Sequence, residues 1–223
     1  MKPVLLFDVN ETLLDLSALD SLFAERLGDA TLRPLWFAQM LQLSFVGGLT
    51  GRYVNFTDAQ LAALTMVAAR ANIVISEADA QTIVDSMSSL PPHPDVPDAL
   101  NRLKSTGFRM ATLTNSVAAV AEAQIRNANL DVFDRILSAD SVSQLKPGPA
   151  PYEMAADAFG VPISETCLIA AHPWDISGAL AAGCSAAFVA RPGAVLSPLG
   201  SQPAIIGTNV DEVAGALIAA ASE

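Results

Sequence analysis

Three short stretches, "PVLLF" at 3–7, "RMATL" at 109–113 and "TCLIAA" at 166–171, constrain this chain most. Each is apolar at successive positions, so both faces of an extended strand would need covering, which is the signature of a parallel sheet between helical layers. "SAAFVA" at 185–190 reads as a fourth such strand and "AIIG" at 204–207 as a fifth. Helical spacing lies between them. Val96, Ala99, Leu100 and Leu103 recur on one face, as do Val117, Val120, Ala121, Ile125 and Ala128, and Asn209 with Glu212 forms a capping box for a last helix. The expected fold is α/β, a Rossmann-like open parallel sheet.

Between Asp15 and Leu90 the alternation stops. Four helical patterns follow one another: "SALDSLFAERL", "RPLWFAQMLQLSF", "DAQLAALTMVAARA" and "EADAQTIVDSMSSL", with Thr57 and Gln60 expected as a capping box for the third. The block closes on "LPPHPDVP", which no helix can cross. An all-helical cap domain over 15–92, inserted into an α/β core of 1–14 and 93–223, is the organisation expected. With 52% hydrophobic and 16% charged residues the chain can bury a sizeable core. Its most apolar run, "LWFAQMLQLSFVGGL", is broken by Gln39, Gln42 and Ser44, so it reads as an amphipathic helix and not a membrane span.

A net charge of −11 opposes nucleic acid and anionic membrane surfaces, leaving a small molecule as the expected partner. Two histidines exclude a histidine-rich metal centre, and Cys167 and Cys184 stand in apolar surroundings that read as inert core. The chain enters its first strand with no apolar signal region before it, so a cytoplasmic location is expected.

Ligands of an open α/β sheet bind beyond the carboxyl ends of the strands, and here those ends are polar. The first strand ends in Asp8, with Asn10 and Thr12 in the turn; the second in Thr114 and Asn115; the third in "HPWD", His172 to Asp175. Lys146 precedes a proline and so belongs to a loop or an element end. One pocket floored by Asp8, Thr114, Asn115, Lys146 and Asp175 is expected. Singly, each residue has a plainer role: Thr12 and Asp175 as helix caps, Thr114 and Asn115 as turn residues, Lys146 and Arg52 as solvated charges, Trp174 as packing.

The ordered set Asp8-x-Asn10-x-Thr12, Thr114-Asn115, Lys146-Pro147 and Asp175 resembles the four motifs of the haloacid dehalogenase superfamily. "RYVNF", "KPGPAPYE" with Tyr152, and "HPWDISGA" are similar to its type II, L-2-haloacid dehalogenase branch. The resemblance implies a hydrolase of (S)-2-haloacids or haloacetate in which Asp8 displaces halide and forms an ester that water cleaves, with no metal. It also implies that Lys146 keeps Asp8 ionised, that Thr12 supports it, and that Asp175 positions groups around the hydrolytic water. Thr114 and Asn115 would bind the substrate carboxylate, with Phe56 and Trp174 as pocket walls; Asn10, Phe37, Leu41, Arg52 and Tyr152 complete the expected substrate site. The branch's halide-abstracting arginine follows the cap tryptophan, and here Trp36 is followed by Phe37. Arg52 as a replacement cation and His172 as a base for the water are the two candidate compensations, imidazole being suited to proton transfer near neutrality. A homodimer is compatible with the apolar cap.

Asn10 separates the readings. A magnesium-dependent phosphatase of this fold needs a second carboxylate there, to hold metal and to protonate an alkoxide, whereas halide leaves without a proton. The phosphatase, with magnesium as its cofactor, is one alternative; a catalytically weak binding protein of the same fold is the other.

Overall fold

A computed structural model describes residues 2–222. Its six strands are β1 (Val4–Phe7), β2 (Met110–Thr114), β3 (Arg135–Ser138), β4 (Thr166–Ala170), β5 (Ser185–Val189) and β6 (Ile205–Gly207). They pair in parallel in the order β3-β2-β1-β4-β5-β6. The chain leaves β1 for β2 and β3 on one side and then crosses to β4 on the other. The order therefore reverses between β1 and β4, opening a crevice at their carboxyl ends.

Period-two alternation divides the core. Leu5, Phe7, Cys167 and Ile169 face the layer of α5 (Val96–Ser105) and α9 (Val210–Ala220). Val4, Leu6, Leu168 and Ala170 face α7 (Pro149–Phe159) and α8 (Pro173–Ala182). All eight side chains are buried, as fully apolar strands require. The edge strand β3 is absent from the sequence-based strand list for a physical reason: Arg135 and Ile136 are exposed, so "RILS" lacks the doubly apolar pattern.

Between β1 and β2 lie α1 (Asp20–Leu27), α2 (Leu32–Leu49), α3 (Phe56–Arg70) and α4 (Glu77–Ser86), the four expected helices. Phe23, Trp36, Met40, Leu64 and Ile83 unite them around one apolar centre. The cap of α3 differs from expectation. Asn55 accepts from the Asp58 amide at 2.9 Å, while Thr57 lies within the first turn. Asn209 caps α9 as expected, accepting from the Glu212 amide at 2.8 Å. Asp175 is not the N-cap of α8 but sits in its first turn, and His172 occupies the cap position. Both cysteines are free and buried. Among the described residues, no helix is long and apolar enough to cross a membrane.

Candidate active site

Asp8 follows β1 directly, at the β1/β4 switch, and its amide donates to the Ile169 carbonyl at 3.0 Å. The chain then folds back tightly, with Leu13 and Leu14 amides both bonded to the Val9 carbonyl. That turn sends the Thr12 hydroxyl to Asp8 Oδ2 at 2.6 Å, while the Ala171 amide donates to the same hydroxyl at 2.9 Å. Thr12 therefore joins the ends of two strands and caps no helix.

Lys146 reaches the other carboxylate oxygen. Its Nζ, wholly buried, lies 3.0 Å from Asp8 Oδ1 and 2.5 Å from Asp175 Oδ2. The Tyr152 hydroxyl donates to Asp175 Oδ1 at 2.5 Å, so both oxygens of Asp175 are held. Asn115 fixes the lysine from behind: it accepts from the Lys146 amide at 2.8 Å and donates to the Lys146 carbonyl at 3.1 Å. Its carbonyl and one amide hydrogen thus serve Lys146, where recognition of a substrate carboxylate was expected. Thr114 is buried beside it and accepts from the Ser116 amide at 3.2 Å.

Two carboxylates around one ammonium are driven apart. Burial alone would raise Asp8, but Lys146, His172 and the Thr12 hydroxyl outweigh it and hold Asp8 below the usual carboxylate value. Burial and the Asp8 charge push Asp175 up in spite of Lys146. Burial would lower Lys146, yet Asp175 and Asp8 keep its ammonium above the ordinary value. Tyr152 is raised well above its own, by burial and then by Asp175, and remains a donor. Burying ions is a poor route to stability, so a cluster of this kind reads as chemistry: an ionised nucleophile with its counter-charge built in.

Aromatic rings also border the site, and Lys146 Nζ lies 5.9 Å from the Trp174 ring centroid. His172 stacks with Phe37 of α2, at 5.6 Å between ring centroids, and with Trp174, at 5.1 Å; Phe45 meets Trp174 edge-on at 5.5 Å. The Trp174 indole Nε1 is buried without a partner among the described residues. His172 Nε2 is 3.1 Å from the Asn10 carbonyl and 3.7 Å from Asp8 Oδ2.

Other expected site residues lie further out. The Asn10 amide carbonyl accepts from Gln124 at 2.9 Å, and its nitrogen donates to Ser116 at 3.3 Å. Phe56 is buried in the apolar centre of the inserted helices and Leu41 packs against that centre. Arg52 is exposed over a shallow depression lined by Leu43, Val46 and Ala59, and the structure does not bring it to Asp8. A crevice of about 510 Å³ between the end of α2 and the 143–148 loop reaches Lys146.

Three residues were not picked out from sequence. Arg191, just past β5, donates twice to the Thr12 carbonyl, at 2.9 and 3.3 Å, and pairs with Asp95 at 2.6 Å. The rule that strand ends carry polar function would have pointed to it. Gln124 anchors Asn10 from within a helix, α6 (Ala118–Asn127), with no local signal. Glu11 holds a left-handed backbone, φ 61°, in the nucleophile turn.

A divalent cation does not fit this donor set. Lys146 already lies between the two carboxylates, Asn10 offers its oxygen to Gln124, and no cluster of three or more metal-binding side chains occurs among the described residues.

Comparison with known proteins follows the same lines. Residues 3–183 match the family model for haloacid dehalogenase-like hydrolases. The chain is 31% identical over 202 residues to an (S)-2-haloacid dehalogenase of Pseudomonas sp. strain YL, covering 88% of this chain and 86% of that one. It is 30% identical over 170 residues to haloacetate dehalogenase H-2 of Moraxella sp. strain B, covering 76% of each. In fold it is similar to the L-2-haloacid dehalogenase of Xanthobacter autotrophicus, with a TM-score of 0.89 at 22% identity over 96% of this chain and 98% of that one.

Proposed function

The chain belongs to the haloacid dehalogenase-like hydrolases, and from that premise we propose that it hydrolyses the carbon–halogen bond of short 2-haloacids or haloacetate through an ester on Asp8. The observation that carries this reading is the ionised, buried Asp8 bonded to Lys146 and Thr12 in a site whose carboxylates do not suit a divalent metal. An Asp8 oxygen attacks the carbon bearing the halogen, and halide departs with the bonding electrons. Water then adds to Asp8 Cγ, and cleavage of the acyl oxygen bond releases the 2-hydroxyacid and restores the carboxylate. Lys146 holds the attacking group anionic and positioned; exclusion of water by the aromatic flank strengthens that pairing.

Within this reading the four inserted helices form a cap domain, 15–92, on a core of 1–14 and 93–223. No cofactor takes part and the protein works in the cytoplasm. Two copies pair through the apolar outer side of α2, where Leu35, Val46 and Leu49 are exposed. Halide release from chloroacetate and L-2-chloropropionate in the presence of chelator is the test. Release by the native protein and none from Asp8→Asn supports the reading; phosphate-ester cleavage that requires magnesium, with no halide, overturns it.

A further inference from the structure

Three successive carbonyls of the turn that follows Asp8 are each met by a group from outside it. The Glu11 carbonyl lies 3.1 Å from His93 Nε2, and the Leu13 carbonyl accepts from the His93 amide at 2.9 Å. Between them, the Thr12 carbonyl takes two bonds from one side chain, Arg191 Nη2 at 2.9 Å and Nε at 3.3 Å.

Arg191 is itself aligned. It follows β5, is buried, and places Nη1 2.6 Å from Asp95 Oδ1. The other oxygen of Asp95 accepts from the Val210 amide, at the start of α9, at 2.7 Å. Burial would raise Asp95, but its bonds to Arg191 and Val210 outweigh it and hold the carboxyl below its usual value. The guanidinium is thus fixed along one edge to Thr12 and at Nη1 to Asp95, a planar fork that a lysine could not reproduce. A carbonyl oxygen needs no charged donor, and a buried ion pair is a poor route to stability, so the arrangement points to a use beyond holding the fold.

That use lies one residue away, at the nucleophile. The Thr12 hydroxyl accepts from the Ala171 amide, so its single proton is directed to Asp8 Oδ2, at 2.6 Å, while Lys146 takes Oδ1 at 3.0 Å. These two contacts set the rotation of the Asp8 carboxylate, and Thr12 can hold its oxygen only while its own backbone is held. We propose that Arg191 is a positioning residue for the attack by Asp8: by locking the Thr12 carbonyl it keeps the Thr12 hydroxyl on Oδ2 and the carboxylate in one orientation. This rests on the ester reading of Asp8. Arg191 takes no part in the bonds that change, in which an Asp8 oxygen joins carbon as halide leaves with the electron pair. Its effect is on the rate of that step, where a small misplacement caused by a distant substitution can cost about a hundredfold.

A double-mutant cycle on the halide burst tests this. Native protein, Arg191→Met, Thr12→Val and the double variant are mixed rapidly with L-2-chloropropionate, well below the melting temperature of the least stable of them. Arg191→Met is expected to lower the saturating burst rate about tenfold to a hundredfold, with the half-saturating concentration unchanged. In Thr12→Val no hydroxyl is left to position, so adding Arg191→Met costs at most about twofold more. If Arg191→Met does not fold, Arg191→Lys, which keeps a cation without the fork, takes its place, with a smaller loss that again vanishes beside Thr12→Val. Equal losses in the two backgrounds would mean that Arg191 acts by a route other than Thr12. A lowered melting temperature with a native burst rate would mean that it only ties the fold together. Either result overturns the inference and leaves the Asp8 reading intact, whereas absence of any halide from the native protein overturns both.

Discussion

The two flanks of Asp8 are built on different principles. On one, Lys146, Asp175 and Tyr152 form a closed set in which every charged oxygen has a partner at 2.5–3.0 Å, all from the α/β core. On the other, His172 stacks with an aromatic ring of α2 and one of α8, beside two carboxylates at the longer distance of 3.7 Å. The first arrangement is rigid and sets the charge of the nucleophile before substrate arrives. The second joins the core to the inserted helices, and its contacts to carboxylates are looser.

Breaking the rigid flank has the largest expected effect. Lys146→Met removes the cation that outweighs the burial of Asp8, and loss of such an interaction is worth about 10³-fold in rate. The sign of the pH change follows. The native nucleophile's lowered value leaves it ionised down into the acid range; without Lys146, burial raises it, so the acid limb of halide release moves to higher pH. A pH–rate profile of the burst in both proteins checks this, and unchanged limbs would place the control of Asp8 elsewhere.

Tyr152→Phe is a milder cut on the same side. It leaves Asp175 Oδ1 without its donor in a fully buried setting, a loss of about 1–3 kcal/mol. A melting temperature lower by several degrees is expected for a chain of this size, with about 2–4 °C per kcal/mol. Calorimetry reads it, and an unshifted midpoint would mean that the closed set is less closed than its distances imply.

Arg52→Ala has the smallest effect and sharpens the comparison from outside. Because Arg52 is exposed on the α2/α3 surface, halide release within about twofold of native is expected, as for surface substitutions generally. A tenfold loss would show that Arg52 joins the aromatic flank during turnover.

The same contrast explains what was legible in the sequence. Asp8, Lys146 and Asp175 stand at strand ends or in short loops after apolar runs, where topology alone brings them together, and the strand pattern carries that topology. The seam is less legible. Phe37 reaches His172 across a helical insertion, and the pairing depends on how α2 is rotated, which residue order near "LWFAQM" does not disclose. Arg52 stands in "RYVNF", a stretch that resembles a family motif, but a motif does not tell which way its side chain turns at the end of a helix. Glu11 was hidden by its own neighbours: Asn10 beside it carries the contrast with a metal site, and a left-handed glutamate has no sequence signature. Edge strand β3 escaped because an exposed strand looks like a loop.

The most direct test of the central claim is a single turnover of L-2-chloropropionate in ¹⁸O-water, with protein in excess and chelator present. The account expects ¹⁸O in the Asp8 peptide and none in the released lactate, because water attacks Asp8 Cγ and the product takes its oxygen from the carboxylate. ¹⁸O in lactate with an unlabelled Asp8 peptide would mean that water attacks the substrate directly, and would contradict it.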